Sequence, residues 1–260
     1  MTLEVVRLGG PSLLPPLLFV HGSFAGAWIW SQHFLPFFAE AGRECVALSL
    51  RGHGGSGGHD RLDHFGLPDY VEDVAAVAAS LDRPPVVVGH SLGGLVAQRY
   101  CTSHPAAGQV LIASVPPGGF ASLAWWMALH HPVFAWQIGL LETFGKAHVD
   151  AEALARGLFS PDFPPEAARH YLPLLQRESA RAIAEVMPPQ RVWRPRADFP
   201  TLVIGGDADA FVSQAALHAT AAHWQAQLVI QPGIPHGMML DPSWRRTAEA
   251  ILAWLSASGV

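Results

Sequence analysis

The chain has 260 residues and a formal net charge of −5; half of its residues are hydrophobic and only 14% are charged. That composition supplies a core large enough for one α/β domain or a core with one insertion, and it excludes a disordered chain. Without a basic run, neither nucleic acid nor an anionic membrane surface is expected as a partner.

Taken in order, Leu3 to Leu8 reads as an opening strand and Leu17 to Val20 as a second, ending at His21-Gly22-Ser23-Phe24-Ala25-Gly26-Ala27-Trp28. Glu44 to Leu50 is a third strand, followed by the glycine-rich loop Arg51 to His59. His53, His59 and His64 share that region with no cysteine or carboxylate at ligand spacing, so no metal site is expected. Pro68 to Leu81 predicts a helix, with Asp69, Glu72 and Asp73 in its first turn favouring the helix dipole. Cys45 and Cys101 read as buried free thiols. Met1 to Glu4 lacks a charged or apolar leader pattern, so no signal peptide is expected and the cytoplasm is the default compartment.

Val86 to Leu95 reads V-V-V-G-H-S-L-G-G-L: a buried strand running without spare residues into a helix. A serine at so sharp a turn is held in a strained backbone conformation. Gly89 and Gly93 lack a Cβ, so strand and helix can close around Ser91 and lift its hydroxyl clear of the sheet. The Leu92 N–H then lies at a helix N-terminus, where it can meet negative charge. The glycine-bearing loop after the second strand is where a second such donor is expected; Ser23 is assigned and Phe24 is the less favoured choice.

The helix after Ser91 stops at Pro105, and Gln109 to Ala113 is the next strand. Apolar strands alternating with helices predict an α/β fold with a mostly parallel sheet covered on both faces. From Pro117 to Asp198 no strand pattern appears. The stretch reads as helices broken at Pro132, Pro161, Pro164-Pro165 and Pro188-Pro189, inserted as a cap. The predicted division is a core of residues 1–116 and 199–260 and a cap of residues 117–198. Phe24 with the aromatic cap residues Trp125, Trp126, Phe134 and Trp136 is expected to wall an apolar substrate pocket. The apolar run Leu123 to Leu141 is broken by His130, His131, Pro132 and Gln137, so stable membrane insertion is not expected. Pro200 to Gly206 resumes the sheet and ends at Asp207-Ala208-Asp209. Ser213 to Trp224 is helical, Gln227 to Ile230 is a strand, and His236 follows in a loop. Trp244 to Leu255 closes the chain as a helix, with Ser243 as its N-cap.

A serine hydroxyl needs a base within reach and a third group to orient that base. In a parallel sheet the ends of the strands before Ser91, before the Asp207/Asp209 pair and before His236 open onto one edge. Serine, acid and histidine in that chain order suit a nucleophile, an orienting carboxylate and a general base.

These segments resemble the α/β-hydrolase-fold serine hydrolases of the lipase and esterase group with a helical cap. The resemblance is carried by His21-Gly22, Gly89 to Gly94, Gly206 to Val212 and His236-Gly237. The loop His21 to Trp28 is also similar to that of plant methylesterases and hydroxynitrile lyases. The family's G-x-x-D-x-x-V pattern falls on Gly206, Asp209 and Val212, which implies Asp209 over Asp207. The chain departs from many relatives by carrying Ser49 where they have an aspartate. The resemblance implies ester hydrolysis through Ser91, His236 and Asp209, with Ser23 and Leu92 N–H groups holding the oxyanion. The implied partner is a small-molecule ester with an apolar acyl or aryl group, and the reaction draws on no metal or cofactor. Amide or C–C bond hydrolysis and hydroxynitrile-lyase chemistry are the alternatives the same triad could serve.

Overall fold

The computed structural model describes residues 1–193 and 199–260. Seven strands form one sheet in the order β1-β3-β2-β4-β5-β6-β7. They are β1 (Val5–Leu8), β2 (Leu17–Val20), β3 (Cys45–Leu48), β4 (Val86–His90), β5 (Gly108–Ile112), β6 (Thr201–Gly206) and β7 (Gln227–Gln231). Only β1 runs antiparallel, against β3; every other pair is parallel. All seven strands expected from the sequence are present. Every residue of β2, β3, β4, β5 and β6 is buried, as strands covered on two faces require.

The helices are α1 (Trp28–Ser31), α2 (Phe34–Glu40), α3 (Leu67–Ala78), α4 (Leu92–Ser103), α5 (Ala121–His130), α6 (Pro132–Phe144), α7 (Ala151–Leu158), α8 (Pro165–Tyr171), α9 (Ala180–Val186), α10 (Gln214–Trp224) and α11 (Trp244–Ser258). Helices α2 and α11 pack on each other over one face of the sheet, and α4 lies between α3 and α10 on the other. The buried amide of Gln98 is bonded at both ends. Gln98 on α4 donates to Ser114 Oγ and to the Val115 carbonyl, each at 2.9 Å, and accepts the Trp224 indole N–H at 2.9 Å. Cys45 and Cys101 are buried and unpaired to each other, as expected.

Five helices, α5 to α9, lie between β5 and β6, and among the described residues of this stretch there is no strand. The predicted prolines mark its breaks: Pro132 opens α6, Pro165 opens α8, and Pro188 follows α9. Its two ends run side by side: Phe120 N–H donates to Val186 O, Ala121 N–H to Met187 O and Gln190 N–H to Pro117 O. The last residues of the expected cap, 194–198, lie outside the described residues.

Ser243 occupies the N-cap position of α11, as expected, but its side chain makes no capping bond; its hydroxyl donates to Asp241 Oδ1 at 2.5 Å. Asp69 lies in the first turn of α3, as expected, whereas Glu72 and Asp73 fall a turn later, and all three converge on Arg51 after β3, at 3.0, 3.3 and 2.7 Å. No described helix is long and apolar enough to cross a membrane.

Candidate active site

Ser91 stands between β4 and α4 with φ 53° and ψ −118°, outside the regions a side chain normally allows. The surroundings over-determine that strain. Its N–H donates to Ile112 O at 3.0 Å, while its carbonyl accepts from Gly94, Leu95 and Val115 N–H. The flanking glycines are required by contact. A Cβ on Gly93 would lie 2.2 Å from His21 O, and one on Gly89 would lie 2.4 Å from Gly93 O. A Cβ on Gly22 would lie 2.9 Å from Ser91 Cβ, so the loop after β2 passes directly against the serine.

That loop is pinned by His21. Its Nδ1–H donates to Gly22 O at 2.8 Å and its Nε2 accepts Leu50 N–H at 3.0 Å. Both bonds suit a neutral ring, and burial followed by the neighbouring His53 lowers its pKa to about 3. Phe24 takes a left-handed φ of 68°, turning the chain, and its carbonyl accepts Gln176 N–H at 3.0 Å. Among the described residues Ser23 N–H donates to no backbone acceptor. Leu92 is the first residue of α4, where a helix leaves its N–H groups without intrahelical partners. Ser23, Ser91, Leu92 and His236 line one cavity of about 310 Å³.

His236 follows β7 in a loop seated against β6: a Cβ on Gly206 would lie 1.8 Å from Ile234 O. The buried imidazole places Nδ1 2.8 Å from Asp209 Oδ2. The other Asp209 oxygen accepts Phe211 and Val212 N–H at 2.7 and 2.8 Å. Asp207 turns elsewhere, accepting Gly233 N–H at 2.6 Å. The geometry therefore separates the two acids. Ser91 Oγ has no hydrogen-bond partner among the described residues; it shares the cavity with the imidazole without being bonded to it. His90, next to the serine, is buried, and its Nε2–H donates to the His236 carbonyl at 3.1 Å. Burial, then the adjacent His236, holds its pKa well below the usual imidazole range.

The expected aromatic wall is largely corrected. Phe24 lines the cavity, but Trp125 and Trp136 are 72% and 67% exposed. Trp126 is half-buried beside His130 and His131 and does not line the cavity. Phe134 is buried one layer back, edge-on to Phe211 at 4.9 Å. Helical spacing is the reason. Leu123 and Met127 on α5, and Phe134 and Leu141 on α6, are buried, whereas Trp125, Leu129, Val133 and Trp136 fall on the outward faces. The cavity is instead walled by aliphatic and aromatic side chains from across the segment, among them Ile138, Leu154, Phe159 and Leu172. Phe211 was overlooked: it lines the cavity and its ring lies 4.6 Å from that of His236. Its position two residues after Asp209 was the available signal.

The helical segment is fastened to the core beside the cavity. Gln176 Nε2 donates to Gly52 O at 2.7 Å and its Oε1 accepts Gly54 N–H at 3.0 Å. Glu178, fully buried, lies 3.2 Å from the equally buried His53 and accepts the Tyr70 hydroxyl at 2.6 Å. Burial would lower the His53 pKa, but the Glu178 carboxylate outweighs it and raises it. Burial would raise that of Glu178, but His53 and the Tyr70 and Ser179 hydrogen bonds lower it. Ser49 is answered from β1's approach: its hydroxyl donates to Glu4 Oε2 at 2.5 Å and accepts Ala27 N–H at 2.8 Å, while Glu4 also accepts Gly55 N–H at 2.8 Å.

A parallel sheet with a strained strand-to-helix serine and an imidazole–carboxylate pair at the same rim is the arrangement of a hydrolase. The chain belongs to the alpha/beta hydrolase family, whose model matches residues 17–250. It is 30% identical over 254 residues to a non-heme haloperoxidase of Rhodococcus erythropolis, covering 86% of each chain. It is 26% identical over 244 residues to a monoacylglycerol lipase of Mycolicibacterium smegmatis, covering 86% of this chain and 82% of that one. A solved structure of a bromoperoxidase from Bacillus anthracis superposes with a TM-score of 0.77 at 21% identity, covering 98% and 95% of the two chains. The fold is thus the α/β-hydrolase fold.

Proposed function

We propose that the protein is a serine esterase acting on a small ester with an apolar acyl or aryl group. The 2.8 Å bond between His236 Nδ1 and Asp209, on a cavity shared with Ser91, carries this reading. The carboxylate fixes the tautomer that leaves His236 Nε2 as the base and stabilises the imidazolium that forms. With Ser91 Oγ hydrogen-bonded to that nitrogen, the imidazole takes its proton as Oγ attacks the ester carbonyl. Leu92 and Ser23 N–H groups hold the tetrahedral oxyanion, each contributing about 3 kcal/mol. His236 then protonates the leaving alcohol, and water activated by the same imidazole hydrolyses the acyl-enzyme and restores Ser91.

In this reading the segment of residues 117–198 acts as a cap over a core of residues 1–116 and 199–260. The cavity's predominantly aliphatic and aromatic lining suits an apolar acyl group. Similarity to a monoacylglycerol lipase agrees with ester chemistry. The test is turnover of short-chain nitrophenyl esters by wild type and Ser91→Ala, with mass measurement of a fluorophosphonate adduct. The expected result is a fall of roughly 10⁴ or more in kcat for the variant and an adduct on Ser91 in the wild type only. Equal turnover by both proteins overturns the reading.

A further inference from the structure

One charged side chain lines the catalytic cavity among the described residues, and the ester mechanism has no use for it. Glu142 lies on α6, where Ala135, Ile138, Gly139 and Glu142 all face the cavity. Those positions are spaced as one helical stripe, so the carboxyl occupies a place where the pattern calls for an apolar residue. The side chain is half-buried. One oxygen, Oε2, accepts Glu178 N–H at 3.3 Å; the other makes no hydrogen bond among the described residues. Among the described residues no cation forms an ion pair with it: the nearby Arg177 guanidinium pairs with Asp63 at 3.5 Å, and its Nε–H donates to the Glu142 backbone carbonyl.

A half-buried carboxyl whose second oxygen is free, set among apolar side chains, can accept a hydrogen bond from a donor carried into the cavity. We propose that Glu142 is a specificity-determining residue that hydrogen-bonds a hydroxyl group carried by the substrate away from its ester bond. This rests on the reading of Ser91 as the nucleophile of the same cavity. The preferred substrate is then an apolar ester with one remote hydroxyl, and the corresponding plain ester leaves the Glu142 oxygen unpaired. Burial raises the Glu142 pKa to about 7; the Glu178 N–H is the main opposing effect, followed by the Glu178 carboxylate, which raises it, Arg177, which lowers it, and Asp63, which raises it. Below that pH the group is a neutral acid; above it the carboxylate accepts the substrate hydroxyl in a stronger, charge-assisted bond.

The experiment compares kcat/KM for a nitrophenyl alkanoate, its ω-hydroxy analogue and its ω-amino analogue across pH 6 to 8.5. Taking the ratio of two substrates cancels any pH dependence of the chemical step that both share. Wild type is expected to prefer the hydroxy ester by about tenfold or more, the preference rising with pH through about 7. Glu142→Leu is expected to reverse the preference, and Glu142→Gln to keep a reduced preference with no pH dependence. Fluorophosphonate labelling of Ser91 reports on each variant's folding and nucleophile. Labelled, active enzymes with a hydroxy-to-plain ratio indifferent to residue 142 overturn this proposal and leave the esterase reading standing. A stronger preference for the amino ester also overturns it, since the group recognised would then be a cation. Failure of the wild type to label or to turn over any of the three esters overturns both readings together.

Discussion

Removing the Glu178 carboxylate should unfasten the helical segment from the core, at a cost the geometry sets. His53 Nε2 and Glu178 Oε1 are 3.2 Å apart and neither residue is exposed. Two unit charges at that separation attract by about 5 kcal/mol at an effective dielectric of 20. Desolvation offsets much of this in the intact pair, so the net worth of the pair is small. Glu178→Ala is different, because it leaves His53 and the Tyr70 hydroxyl buried without their acceptor. Losing one partner of such a pair costs about 3–5 kcal/mol. With an unfolding entropy of about 2.1 cal/mol/K per residue over 260 residues, that is a fall of roughly 5–9 °C in melting temperature.

The sign with pH follows from the two shifts. The raised His53 pKa gives stability that is complete below its unfolded value near 6.5 and lost as pH rises through the folded value. The lowered Glu178 pKa gives stability present above the unfolded carboxylate value and lost as pH falls through the folded one. The deficit of Glu178→Ala relative to wild type should therefore be greatest between about pH 4.5 and 6.5 and shrink in alkali. Urea unfolding of both proteins at pH 6 and pH 9 measures it. The double variant His53→Leu/Glu178→Leu should recover part of the loss, because no buried charge is left unpaired. A deficit below about 1 kcal/mol at pH 6, or one that grows toward pH 9, would refute the reasoning.

Asp209→Asn should lower kcat by about 10⁴ while Asp207→Asn leaves it within a few-fold, since only Asp209 meets the imidazole; steady-state kinetics on one ester decides between them. Gly22→Ala should reduce kcat by on the order of 10²-fold, because the new methyl would lie 2.9 Å from Ser91 Cβ and 3.0 Å from His90 Nδ1; a full-rate variant would mean the loop yields freely. His21 makes the protein acid-sensitive. Its folded pKa of about 3 is depressed below the unfolded value, so its contribution is present above pH 6.5 and lost as pH falls toward 3, a span worth on the order of 5 kcal/mol. His21→Gln should lose less stability than wild type between pH 7 and pH 4 in urea titrations. Trp136→Ala should leave kcat/KM for a soluble ester within about twofold, because the ring is 67% exposed and away from the cavity.

The core was legible because its signals are local. Val86 to Val88 and Leu202 to Ile204 are apolar runs ended by glycines, and a Cβ on Gly89 or Gly206 would strike backbone. The choice of Asp209 over Asp207 was legible only through the family pattern, since both acids follow the same strand and the bonds that separate them come from loops 2 to 27 residues away. The pocket wall was not legible, because aromatic content says nothing about which face of a helix turns inward. Helices α5 and α6 are apolar on nearly every side, so their period does not reveal that Trp125 and Trp136 turn outward while Leu123, Met127 and Phe134 are buried.

Ser49 shows why a site can keep its geometry when one residue departs from the family pattern. What the loops on either side of it need is an acceptor for Ala27 N–H and another for Gly55 N–H, not an aspartate as such. The Ser49 hydroxyl accepts the first and donates its own hydrogen bond to Glu4, whose carboxylate accepts the second. The two residues are 45 positions apart and meet because Glu4 immediately precedes β1, which pairs with β3 through Val5 and Leu48. The antiparallel strand β1 thus does more than close an edge: it delivers the charge that holds the loop after β2 and the glycine loop together. It follows that Glu4→Ala, far from Ser91 in the chain, should weaken turnover through the position of Ser23. Glu4→Ala combined with Ser49→Asp should restore it, because the acceptor is then supplied from β3's own end. Restoration measured as kcat on the same ester supports this account; a double variant no better than Glu4→Ala alone would show that Glu4 serves some other purpose.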